Sequence, residues 1–362
     1  MSKIKLKFRD VAAIAACLAV TVMFASCTKN NDVSGNSEND KVDVYVAGYE
    51  ASGHEYSAYY GTDYRKVAIL WKNGVTQNLT DGTRDAIATS VFVFNNDVYV
   101  AGYEASGQEY SDGLGNQHHY YVAKLWKNGV AQSLTDGTIK TQTYAYSVFV
   151  SGNDVYVAGS TGNSAILWKN GVADTLFSAF YGAFANSVFV SGDDVYVAGY
   201  ISTFTSMHAG STLESAKFLK NGVMQDISDG YRGASGVINS IFVSNGDVYL
   251  AGTDTYYVAP KFWKNNVAEY LSDGYGANSV FVADRDVYVA GRGSGKAILW
   301  KNSVAQNLAD GTANSVFVSG KDVYVAGSDD VKAILWKNGV AKNLTDGTRN
   351  AMAISIFVVE CE

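Results

Sequence analysis

DVYVAG stands at residues 43–48 and returns at 97–102, 154–159, 194–199, 286–291 and 322–327, with DVYLAG at 247–252. A β-branched and aromatic run that opens on Asp and closes on Ala-Gly reads as a short strand between turn residues. Three companions travel with it. SVFV occurs at 90–93, 147–150, 187–190, 279–282 and 315–318, and SIFV at 240–243 and 355–358. AILWKNGV occurs at 68–75, 165–172 and 333–340, with relatives at 123–130, 216–223, 260–267 and 297–304. A fourth, alternating segment such as GVTQNLTDG at 74–82 follows each of these. Four strands per unit, a to d, repeated seven times at intervals of about 46 residues predict an all-β, seven-bladed β-propeller with four antiparallel strands per blade. The Asn-Gly pair inside WKNGV is a two-residue hairpin signal, because both central positions of that turn need positive φ.

The chain ends predict how the ring closes. Residues 43–48 are a b strand with no a strand before it, and residues 354–359 are an a strand with nothing after it. The C-terminal strand is therefore expected to become the innermost strand of the first blade, which leaves no open edge there.

Ahead of the repeats, Lys3, Lys5, Lys7 and Arg9 precede the apolar run VAAIAACLAVTVMF at 11–24. That order reads as a signal peptide over 1–26 rather than a spanning helix. FASC at 24–27 is similar to bacterial lipoprotein signals, which implies cleavage before Cys27 and lipidation of Cys27. Polar residues 27–41 then form a lipid-anchored flexible tether, and 42–362 form the propeller. The pattern DVYVAG…WKNG across 42–359 resembles repeats in uncharacterised lipoproteins of the Bacteroidetes. The resemblance implies a membrane partner through the lipid and a place in the bacterial cell envelope at the outer membrane. Which side of that membrane the disc faces, and its oligomeric state, are left open.

Without the leader, 24 basic and 34 acidic residues remain. This balance disfavours a nucleic-acid partner, whose phosphates would want a basic stripe. With Cys17 in the leader and Cys27 lipidated, Cys361 is expected to lack an intrachain partner. No nucleophile elbow, HExxH or phosphate-cradling glycine loop is present, and adjacent His118 and His119 lack zinc-ligand spacing. No cofactor and no metal are expected.

Loop lengths point to a working face. The a-to-b gap is constant, as from Val91 to Tyr99, and so is the c-to-d gap, as from Trp71 to Leu79. The b-to-c gap varies from 12 (Tyr156 to Trp168) to 27 (Tyr99 to Trp126). In an antiparallel meander the b–c and d–a connections share one face, so all the variation falls on one side of the disc, where binding residues commonly ride. The long segments carry the candidates. These are Tyr49, Glu50, His54, Tyr56, Tyr59, Tyr60 and Tyr64 in blade 1, Tyr103, Glu104, Tyr110, His118, His119, Tyr120 and Tyr121 in blade 2, and His208 in blade 4. Tyrosine offers a large face and a polar handle, which suits stacking on a sugar ring while Glu and His hydrogen-bond its hydroxyls. The expected role is glycan or polysaccharide binding. Protein–protein recognition is the alternative, and these tyrosines could also simply pack the segments together.

Glu50, Glu55, Glu104, Glu109, Asp112 and Glu214 keep a carboxylate-dependent glycan-processing enzyme in view. No pair is fixed by the sequence, and the reading leans away from an enzyme. Seven a-strand serines, four of them preceded by Asn186, Asn239, Asn278 and Asn314, either line a polar mouth or fill a crowded axis. The c-strand tryptophans are expected to wedge neighbouring blades, the lysines beside them to extend into water, and the Asp-Gly pairs to make turns.

Overall fold

Each DVYVAG copy opens the second strand of a four-stranded antiparallel sheet, and seven such sheets stand among the described residues. The structure is a computed structural model and describes residues 42–58, 61–111, 117–138, 140–204, 212–225, 227 and 236–361. The expected leader and tether lie outside these. Six sheets follow chain order. The first joins Ala351–Glu360 to Val42–Ala58, Gly61–Lys72 and Val75–Asn78. Its register runs from Val42 opposite Glu360 to Glu50 opposite Ala351. The predicted closure is present, and the closing strand is longer than the expected 354–359. Cys361 follows it and is disulfide-bonded, which corrects the expectation of an unpartnered thiol. Cysteine counting had assigned both other cysteines elsewhere.

The core lies between blades. Each apolar cluster spans one interface; Trp168 of blade 3, for example, packs with Tyr99, Ala101 and Leu125 of blade 2. Trp71, Trp126, Trp168, Trp263, Trp300 and Trp336 are at most 1% exposed, as wedges should be. Leu219 takes that place in blade 4 and is equally buried.

Among the described residues, the long b–c segments of blades 1 and 2 are strand rather than loop. Strands Val42–Ala58 and Asp97–Ser111 continue the sheet outward as extended hairpins. Bulges between Ala51 and Glu55 and between Ala105 and Glu109 take up the Ser-Gly residues that had suggested loops.

The opposite face explains the repeat's wording. The Asp of each DVYVAG forms an ion pair of 2.6–2.9 Å with the Lys of WKN. Its other oxygen accepts the Asn amide at 2.7–2.8 Å. The Asn carbonyl in turn accepts the b-strand valine N–H, as at Val155. The lysine ammonium lies 5.1–5.4 Å from the centroid of the b-strand tyrosine ring. The lysine heads are thus paired rather than left in water, because the b–c register sets each Lys beside the Asp of its own blade. Positive φ at Asn73 (54°) and Gly74 (84°) confirms the two-residue turn.

The paired lysine, then asparagine, hold the carboxyls of Asp97, Asp154, Asp194, Asp286 and Asp322 below the usual carboxylate range. For Asp247 the order is Asn265, then Lys264. A depressed folded-state value adds stability above the unfolded carboxylate value of about 3.9, and that stability is lost as pH falls through the lower folded value. The urea midpoint is expected to stay level from neutrality to weak acid and to drop below about pH 4. Each pair is partly exposed and contributes little alone, so Asp154→Asn should shallow the acid drop only slightly. A profile without an acid drop would contradict the assignment.

Candidate functional site

Every inner strand carries a β-bulge at the residue before its serine, as between Ala88 and Ser90 or Ala277 and Ser279. The last residue of DVYVAG faces this bulge and must be glycine; a Cβ on Gly159 would lie 2.0 Å from the Tyr144 carbonyl oxygen. The bulges turn two successive side chains of each inner strand toward the axis.

The serines then link the blades. Ser90 Oγ accepts the N–H of Val148, Ser147 that of Val188, and so on around the disc, at 3.1–3.3 Å. The last links run through Ser355, so the belt closes only with the C-terminal strand. Each hydroxyl proton is uncommitted by this bond and available to a ligand. Above the serines, Asn186, Asn239, Asn278 and Asn314 donate to the next blade's carbonyl at 2.8–3.0 Å. One amide proton and the carbonyl oxygen of each are left for other partners. Thr89 does the same toward Ala145. Tyr146 and Ile354 interrupt the series.

Together these residues line an axial funnel of about 560 Å³ that opens on the variable face. Phe184 and Tyr200 form one wall, stacked at 4.6 Å and 18°. Met352 and Val237 add apolar surface. Two residues beyond each serine stands a phenylalanine, and Phe92, Phe149, Phe189, Phe242, Phe281, Phe317 and Phe357 form a closed belt with centroids 4.6–5.0 Å apart.

None of the described candidates lines the funnel. Tyr103, Tyr121 and Tyr144 pack edge-on and tilted at 4.9–5.6 Å. Tyr121 donates to Asp85 at 2.8 Å. Burial pushes the Tyr103, Tyr121 and Tyr146 phenols far up and Tyr144 to about 12, so all stay neutral near pH 7. Tyr110 stacks against His118 and lies near Tyr120. His119 faces Glu109 at 3.5 Å, and Glu104 pairs with Lys124 at 3.1 Å. Tyr49 lies under the Lys66 ammonium. His54 and Tyr64 are exposed. Tyr59, Tyr60 and His208 lie outside the described residues, as does the side chain of Tyr56. Burial raises the Glu50 carboxyl above its usual range, with Arg349 opposing the shift. Among the described residues no cluster of His, Cys, Asp or Glu could hold a metal.

Phe184, Tyr200, Tyr146 and Met352 are absent from the sequence-based candidates. One available signal was the residue before the a-strand serine, where Tyr146 and Ile354 break a run of Asn and Thr.

No known family matches the chain. A search of curated proteins likewise finds no match. Solved structures similar to it include the β-propeller domain of the Trilobed protease from Pyrococcus furiosus, at 11% identity and TM-score 0.45, covering 84% of this chain and 97% of that one. A mutant of Trypanosoma rangeli sialidase displaying trans-sialidase activity matches at 11% identity and TM-score 0.38, covering 88% of this chain and 52% of that one. A GH43_1 enzyme from Xanthomonas citri matches at 9% identity and TM-score 0.32, covering 59% and 82%. At these identities the likeness is one of fold. The leaning away from an enzyme gains no support here: the solved propellers are named for a protease, a sialidase and a GH43_1 enzyme, and a likeness of this degree shows fold alone.

Proposed function

We propose that the axial funnel recognises a neutral carbohydrate. The observation that carries this reading is the lining itself: one stacked aromatic wall faces a ring of hydroxyls and amides, and no charged side chain intrudes among the described lining residues. A sugar ring offers apolar C–H faces to aromatic groups and hydroxyls to donors and acceptors. The volume falls within the range of small-molecule sites.

The experiment is retention on a printed glycan array followed by calorimetry. Tyr200→Ala is expected to weaken binding about tenfold, whereas Tyr120→Ala on the hairpin leaves it unchanged. The reverse pattern would return the site to the hairpins. One observation favours processing of the bound glycan as well: the raised carboxyl of Glu50 lies one residue beyond Tyr49, which pairs with funnel-lining Met352. A carboxyl whose proton is held more tightly than usual suits a general acid better than an ordinary one. Products released by the wild type and not by Glu50→Gln would support this second role, and an intact glycan after prolonged incubation would remove it.

The envelope location rests on the leader residues. Lipid on Cys27 would tether the disc through residues 28–41, and labelled fatty acid should enter the wild type but not Cys27→Ser. A lipidated Cys27 sulfur cannot also join a disulfide and Cys17 leaves with the leader, so the anchor requires that the Cys361 disulfide be absent from the mature chain; unlabelled protein with Cys27 bonded to Cys361 would overturn the anchor.

A further inference from the structure

We infer that the funnel accepts the end of a glycan chain and not a stretch of its interior. The inference rests on the carbohydrate reading above and narrows it. The funnel's lining stops at the serine belt, and the phenylalanine belt lies directly beneath. Seven centroids at the observed spacing lie on a circle of about 5.5 Å radius, and each ring with its van der Waals surface fills roughly 3.5–4 Å of it. The remaining passage suits water and excludes a pyranose ring, so a ligand must enter and leave by the variable face.

The height of the mouth differs from blade to blade. Long strands rise from blades 1, 2 and 4, such as Val42–Ala58, Asp97–Ser111 and Asp194–Phe204, with low blade 3 standing between the last two. Blades 6 and 7 carry short connections, their strands ending at Gly293 and Ser328. A chain passing straight across from blades 6 and 7 can leave over low blade 3, but it would stay above the funnel floor. A terminal residue can instead descend to Asn278 and Asn314, with the chain leaving over the low blades. A polymer interior crossing the mouth would have to fold back on itself to reach the serine belt, because the phenylalanine belt closes the channel beneath.

The test uses an array whose glycans are attached through their reducing ends, then the best-retained chain in free form. Its length series from two to six residues is titrated, along with a version whose free terminal residue carries a 4,6-O-benzylidene cap. Affinity is expected to change less than about threefold beyond the trisaccharide, and the cap to weaken binding about tenfold or more. Asn278→Ala, checked for an unchanged melting temperature, should reduce affinity for every length equally. Affinity that rises steadily to the hexasaccharide, or tolerance of the cap, would overturn end recognition while leaving the carbohydrate reading intact. Retention of no glycan at all would overturn both.

Discussion

A chain lacking residues 355–362 is expected to lose cooperative unfolding altogether. Ile356 and Val358 are buried in the cluster between the last and first blades, and removing each forfeits about 1.5–3 kcal/mol of burial. Ser355 is both a link in the serine belt and the residue next to Ile356, whose N–H bonds to Ser315. Phe357 touches Phe92 and Phe317, so the aromatic belt opens as well. The inner edge of Val42–Ala58 would stand unpaired and invite association. These losses together rival the 5–15 kcal/mol that holds a typical domain. Circular dichroism on heating and size exclusion should show a broad transition and aggregates. A monomer melting at the wild-type temperature would refute the role given to the closing strand.

Trp168→Ala is expected to cost about 3–5 kcal/mol, and Trp168→Leu less than half of that. The indole fills the interface between blades 2 and 3 and touches Gly159, where a Cβ would lie 2.9 Å from the ring. Alanine would leave a cavity that the neighbouring sheets cannot close. Leucine already occupies this place in blade 4 as Leu219. The indole N–H of Trp168 also meets no protein acceptor, so its loss removes a desolvation penalty that offsets part of the lost contact. Urea denaturation of the two variants measures the difference, and equal losses would contradict the wedge reading.

The parts of this fold legible in the sequence are those written in local chemistry. Asn-Gly in WKNGV announces its turn because both positions require positive φ, and the constant Val91-to-Tyr99 spacing announces fixed a–b turns. The unmatched strands at the two ends announce closure. The hairpins were hidden because YEASG carries turn residues, and only the bulge at Ala51–Glu55 shows how a strand absorbs them. The lysine partners were hidden because Lys169 meets Asp154 only once the b–c register is known. The candidate site was half legible. The serines and asparagines pointed to a polar mouth, but their bulges break the period-two alternation on which strand reading depends. The wall of Phe184 and Tyr200 joins an a strand to a b strand, which no spacing along the chain reveals.

Crystallography of the protein soaked with the best-retained glycan tests the central claim most directly. The account predicts sugar density in the axial funnel, stacked on Tyr200 and hydrogen-bonded near Asn278 and Asn314. Sugar density confined to the hairpins of blades 1 and 2, with the funnel holding only water, would contradict it.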